Sequence, residues 1–225
     1  FVQPYAACLH VPEQQRYTHA YLQGLLSDLR RKNGEAIAYL HDQERKGVQH
    51  FIGEAKWDHE PLLLELAKQV ASEIGEADGV IVFDPSGFCK KGKRSVGVAR
   101  QWIGRVGKVD NGQVAVYLGY VSRREHALVD MWLYLPTEWT NDRRRCAKAG
   151  VPKDRRRHRT RHALALEMLN SKGPLLPHAW VTGDDEMGRP THFRRDLQAR
   201  NERYLLAVPS NTLIRDLDAP PPPSR

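Results

Sequence analysis

Residues 113 to 121, QVAVYLGYV, alternate strictly, with Val114, Val116 and Leu118 on every second position. A period of two means one buried face and one open face, which a helix cannot supply. A second run of strand formers, Leu128 to Leu135, follows after only Ser122 to His126. A connection that short makes the two strands antiparallel neighbours. That hairpin excludes a doubly wound parallel sheet, which has no place for it. Before it, Val80–Phe83 is an apolar run ending in Asp84, and Ser95–Ile103 is rich in β-formers with Arg100 and Gln101 inside. After it, residues 160–171 read as helix, Ala179–Thr182 as a strand ending at Gly183 and Asp184, Thr191–Arg200 as helix and Tyr204–Val208 as a last strand. Strand, hairpin, helix, strand, helix, strand is the order of an α/β protein with a mixed sheet and flanking helices.

The first third of the chain has a different period. Tyr17, Ala20, Tyr21, Leu25 and Leu29 recur at helical spacing behind Pro12, which suits a first helical turn. Three further apolar faces follow, around Ile37, around Phe51 and from Leu62 to Ile74. Short helices joined at Gly34 and Gly47, with Arg30, Arg31 and Lys32 between, suit a small DNA-binding domain and a plain helical bundle about equally. The expected organisation is a helical domain over 1–76, an α/β domain over 77–211 and a Pro-rich, disordered tail over 212–225. The chain starts at Phe1 and stops just after Pro220–Pro223, which reads as a fragment or a truncated reading frame.

A net charge of +8 favours a polyanionic partner, nucleic acid first. Three scattered cysteines, Cys8, Cys89 and Cys146, give neither a disulfide framework nor zinc spacing, so a reducing compartment is expected. No apolar run approaches the roughly 18 residues of a membrane span. Lys90, Lys91, Lys93 and Arg94 crowd the stretch after Asp84. Residues 143–161 hold ten Lys or Arg against one acid, Asp154, in what Gly150 and Pro152 mark as a loop. Such runs are usually solvated. Ten positive charges in nineteen residues repel each other without an anion nearby, which favours a phosphate-backbone contact.

Two strands deliver aspartates, Asp84 and Asp184. Carboxylates brought together repel unless a cation lies between them or one is protonated, and hard oxygen ligands suit Mg²⁺ or Mn²⁺. A pair of such ions can serve phosphoryl transfer. The alternative for Asp84 is a turn former, since Asp-Pro-Ser-Gly is good turn chemistry. Trp139 could stack on a flipped base or anchor its loop, and anchoring is the expected role. Ser86 and Cys89 lack the His and Asp arrangement of an activated nucleophile. A haloacid dehalogenase-type phosphatase also has a strand ending in Asp and a later "GDD"-like motif. It requires a second Asp two residues after the first, where this chain has Ser86.

Several longer stretches, in order, carry a stronger resemblance: DLRRKNGEAIA (28–38), AKWD (55–58), FDPSGFCKKGKRSVGVARQW (83–102), GKVDNGQVAVYLGYVS (107–122), LYLPTEWTNDRRRCAKAGVP (133–152) and WVTGDDEMGRPTHFRRDLQARNERYLLAVPSN (180–211). They resemble the DDE-type transposases of bacterial insertion sequences, over most of residues 20–211. The resemblance implies an RNase H-like catalytic domain that cleaves and joins DNA. It places the first two metal-binding, catalytic acids at Asp84 and Asp184, with Asp185 a neighbour and Gly188 a matching glycine. Met187 departs from the aromatic common there.

The implied cofactor is Mg²⁺ or Mn²⁺. The implied partner is double-stranded DNA, at element ends and target, met by Lys90, Lys91, Lys93, Arg94, Arg155, Arg156, Arg157, Arg159 and Arg161. A homo-oligomer on DNA, no membrane, and a bacterial cytoplasmic, nucleoid-associated location go with it. The family's third acid, a Glu on a later helix, has no match; Asp216 and Asp218 fall in the tail. The isolated chain is therefore expected to be nearly inactive. A non-catalytic DNA-binding remnant and the phosphatase remain as alternatives.

Overall fold

Tyr17 organises the first of two units into which the chain divides, residues 1–69. This computed structural model describes residues 1–213, so most of the expected tail, with Asp216 and Asp218, lies outside the described residues. The first unit holds α1 (Gln3–Ala7), α2 (Pro12–Leu26), α3 (Gly34–Leu40), α4 (Arg45–Gly53) and the start of α5 (Glu60–Ile74). Tyr17 on α2 is buried with Leu9, Ala38, Val48 and Phe51. Trp57 stacks on Phe51 with ring centroids 5.7 Å apart. Gly47 is needed where α4 crosses Tyr17, because a Cβ there would stand 1.9 Å from the Tyr17 hydroxyl. Asn33 and Glu44 cap α3 and α4 by accepting from exposed backbone N–H groups. The four helical faces expected from spacing are present, and α1 is an addition.

The second unit, from Val70 on, contains β1 (Val80–Cys89), β2 (Ala99–Ile103), β3 (Lys108–Val121), β4 (His126–Leu133), α6 (Thr137–Thr140), α7 (Arg143–Lys148), α8 (Arg161–Lys172), β5 (Trp180–Gly183), α9 (Asp185–Gly188), α10 (Thr191–Ala199) and β6 (Tyr204–Leu206). β1 pairs antiparallel with β3 along its whole length, Val80↔Val121 to Cys89↔Gly112. On its other side it pairs parallel with β5, but only from Val80↔Trp180 to Phe83↔Gly183. β6 continues the parallel side. β4 pairs antiparallel with the later part of β3, and β2 with its first residues. An antiparallel trio β4–β3–β1 followed by parallel β5 and β6 is the RNase H-like arrangement.

The alternation of β3 is realised as expected: Val114, Val116, Leu118 and Tyr120 are all buried. α8 turns Leu164, Ala165, Met168 and Leu169 inward. Lys172 at its end is also buried, 3.9 Å from the buried Asp130 of β4. A buried charge of this kind is tolerable only with its counter-charge in place.

Two expectations need correction. Asp84 does not end its strand: β1 runs on through Pro85, Ser86 and Gly87. Local turn propensity loses there to six consecutive pairings with β3, Asp84↔Tyr117 to Cys89↔Gly112. The segment 143–161 is not wholly loop, because Asp142 caps a helical turn, α7, by accepting from Arg145 N–H at 2.8 Å.

Tyr120 closes the end of the sheet opposite the acids. Its hydroxyl accepts from Glu76 N–H at 2.9 Å and donates to Pro177 O at 2.6 Å. Tyr120→Phe leaves both backbone groups without this partner and is expected to cost about 1–3 kcal/mol. Urea unfolding with an unchanged slope and a lower midpoint checks it.

Candidate active site

The pairing Phe83↔Gly183 fixes the site. One residue further along, the two strands present Asp84 and Asp184 side by side, with neighbouring strands about 4.8 Å apart. There they diverge. β5 stops because Asp184 caps α9, its Oδ1 accepting from Met187 N–H at 3.1 Å. β1 continues without a parallel neighbour, so Pro85, which has no N–H, costs no ladder bond on that side. α9 folds back closely onto the strands. A Cβ on Gly183 would lie 2.8 Å from Met187 Cβ, and one on Gly188 1.8 Å from Ala207 O. Gly188, matched from the resemblance, is thus required by packing.

The charges around the two acids are unevenly matched. Asp185 pairs with Arg189 at 3.4 Å, and Glu186 with Arg161, whose Nη1 reaches both carboxylate oxygens at 2.5 and 2.8 Å. His162 Nε2 lies 2.9 Å from Glu186 O. Asp84 and Asp184 have no salt-bridge partner among the described residues; Ser86 donates to Asp84 Oδ2 at 3.3 Å. The Asp184 carboxyl is pushed above its ordinary value, first by burial, then by the negative charges of Glu186, Asp84 and Asp185, against the lowering bond from Met187 N–H. The residue as a whole is exposed, so solvent screens part of this effect. Two oxygen-bearing side chains that repel each other without a cationic partner fit a hard divalent cation. Among the described residues, no group of three or more His, Cys, Asp or Glu could hold a metal ion.

The basic residues fall into two sets. Lys90, Lys91, Lys93 and Arg94 lie exposed on the loop that leaves β1. Arg155, Arg156, Arg157 and Arg159 line an open groove of about 790 Å³ with Arg143, Lys153 and Trp132. Several of these side chains have internal partners. Arg155 lies 3.7 Å over the Trp132 ring, Arg156 Nε donates to Val151 O, and Arg159 pairs with Glu167 at 3.2 Å. Arg161 is spent on Glu186 and on the Tyr134 ring, 5.0 Å away. Burial lowers the Arg159 pKa. Arg157 is exposed, 3.9 Å from Glu167.

Trp139 is the anchor expected of it, fully buried with Nε1 donating to Val98 O at 2.8 Å. Gln101 is structural, donating to Gly97 O and Gly112 O. Sequence reasoning missed Trp132 as the floor of the groove and Glu186 as the partner of Arg161. Both contacts cross more than twenty residues, and no local pattern marks them.

A family model for DDE superfamily endonucleases matches residues 4–225. The chain belongs to this family. Among its relatives is the probable transposase for insertion sequence element IS701 of Microchaete diplosiphon, 34% identical over 105 residues. That match covers 46% of this chain and 27% of the relative, so the chain spans about a quarter of that protein. Solved structures similar to it include the Mos1 mariner paired end complex with Mn (12% identity, TM-score 0.27, covering 82% of this chain and 57% of that one). A pre-cleavage Mos1 transpososome follows at 11% identity and TM-score 0.22, over 87% and 60%. The phosphatase alternative has no support: an antiparallel strand, β3, pairs with the whole length of β1, and Ser86 stands where the second Asp would be.

Because its pKa is raised, the Asp184 carboxyl binds a proton more tightly in the folded chain than in the unfolded one. Folding therefore loses stability as pH rises through the titration of this group, and regains it below the ordinary carboxylate range. Asp184→Asn keeps a capping side chain and removes the charge. It is expected to raise the melting temperature slightly at pH 7, solvent screening keeping the effect small, with the gap closing near pH 3. Melting curves of both proteins across that range check the sign.

Proposed function

We propose that the second unit is the catalytic core of a DDE-type transposase, which cleaves DNA at insertion-sequence ends and joins the freed 3′-hydroxyl to target DNA. The observation that carries this reading is the register Phe83↔Gly183, which sets side by side two acids with no salt-bridge partner among the described residues, at the point where β1 and β5 part. Asp84 and Asp184 would hold Mg²⁺ or Mn²⁺. Bound there, a divalent cation supplies Lewis-acid polarisation of the phosphodiester and a better oxygen nucleophile. The protein's own contribution is positional. α9, fixed by the Arg161–Glu186 pair, holds Asp184 toward Asp84. Lys90, Lys91, Lys93 and Arg94 supply positive charge beside Asp84 for the DNA backbone. Arg155, Arg156, Arg157 and Arg159 form a second positive surface, and of these the exposed Arg157 is best placed to reach phosphate. A nucleoid-associated, cytoplasmic protein that assembles as a homo-oligomer on DNA is the corresponding setting.

A second reading is supported by the engagement of the two nearest further acids, Asp185 and Glu186, in ion pairs with Arg189 and Arg161. On that reading the chain grips DNA without cutting it.

The two are separated by incubating the chain with duplex DNA and Mn²⁺. Nicking that falls about 10²-fold or more in both Asp84→Asn and Asp184→Asn supports catalysis, as expected for loss of a group that stabilises transition-state charge. Nicking indifferent to Asp84 sinks the assignment. Salt-sensitive binding with no cutting leaves the binding reading. Replacing Lys90, Lys91 and Lys93 together by Ala is expected to reduce the slope of log affinity against log salt by about 0.9 per lost phosphate contact. A titration at several salt concentrations reads that directly.

A further inference from the structure

The face of the sheet that carries Asp84 also carries exposed aromatic rings. Side chains alternate along β1, so Asp84, Ser86 and Phe88 share one face while Phe83, Pro85 and Gly87 share the other. Phe88 is paired with Gln113, which puts Val109 of the same strand on this face too, and Val109 is paired with Trp102. Phe88, Trp102 and Val109 are 50%, 52% and 50% exposed. Trp102 and Val109 lie near the tip of the β2–β3 ribbon, and Phe88 near its base. The charge around them is one-sided. Residues 88–113 contain seven Lys or Arg and a single acid, Asp110, and Asp110 is held by Lys108 at 3.0 Å.

Exposed apolar surface usually meets another protein. The apolar core of a protein interface is depleted in charge, and a dense positive surround does not match it. It does match a polyanion with planar apolar faces, namely nucleic acid with its bases open. We propose that Phe88 and Trp102 form a stacking site for unpaired bases of the DNA strand held beside Asp84. Four residues of strand, about 13 Å at about 3.3 Å each, separate the acid from Phe88, and four more along β3 lead on to the level of Trp102, so the two rings serve separate nucleotides further along the same DNA strand. Bases in an intact duplex are stacked on each other and cannot use it. The preferred substrate is therefore DNA opened or frayed near the cleavage point. This inference rests on the assignment of DNA to the Asp84 face.

The test is binding of the whole chain, without metal, to three labelled probes: a fully paired duplex, the same duplex with a short unpaired tract, and the same tract with abasic sites in place of its bases. The unpaired tract is expected to bind about tenfold more tightly than the duplex, the effect of one good base–aromatic stack. The abasic probe should behave like the duplex. Trp102→Ala and Phe88→Ala should each reduce the difference and the two together collapse it to within about twofold, and Trp102→Phe, which keeps a ring, should retain most of it. Circular-dichroism melting confirms that each variant is folded.

Equal binding of paired and unpaired probes by the parent chain overturns the inference, as does a tenfold preference that survives both Ala variants. Trp102→Ala breaking up a self-associated form while the DNA preference persists would make this face a protein interface instead. Failure to bind any probe is a different result, and removes DNA from the chain's function altogether.

Discussion

Everything in the second unit depends on the two unlike partners of β1. Antiparallel pairing with β3 holds all ten of its residues, whereas parallel pairing with β5 holds four. The mismatch in length makes the candidate site. Up to Phe83 the strand is flanked on both sides and buried on alternate residues. Beyond it, β1 is still held straight by β3 but open on the other edge, and Asp84 occupies the first open position. A carboxylate one residue earlier, at the fully buried Phe83, would have been enclosed, at a desolvation cost that would have neutralised it.

Asp184 has two tasks at the same junction. It ends β5 by capping α9, and its charge lies near enough to that of Asp84 for the two to repel. Arg161 serves this arrangement from α8, tying Glu186 back so that α9 cannot swing away. α8 is itself pinned by the buried Lys172–Asp130 pair at its other end. A chain of two ion pairs thus runs from β4 through α8 to the residue next but one to Asp184. Each link is buried or half-buried, where ion pairs matter more than they do at the surface.

Much of the fold was legible because β3 announces itself. Its strict alternation, the short link to β4 and the helical period of α8 together fix a mixed sheet before any pairing is known. The site was legible only in part. Asp84 and Asp184 stood out as acids after apolar runs, but Pro85, Ser86 and Gly87 are strong local turn formers, and nothing near them in sequence reveals that β3 will override that tendency. The arginines of 143–161 read as free charge because their partners are distant: Glu186 for Arg161, the Trp132 ring for Arg155. Helix α7 was hidden in the same run, where a cap at Asp142 is the sole signal. Phe88 was hidden by the same override, since its place on the face of Asp84 follows only once β1 is known to run on through Cys89.

Pro85 has a consequence for the company this protein keeps. The stretch of β1 beyond Phe83 is an edge, and an open edge invites a passing peptide to add itself as a strand. Proline removes one of the donors such an intruder would need, and the divergence of β5 into α9 removes the neighbouring strand that would have guided it in. The opening is therefore better suited to a ligand that makes no demand on backbone ladder bonds. The same residue that looks like a turn in the sequence keeps the cleft from being occupied by the protein's own kind.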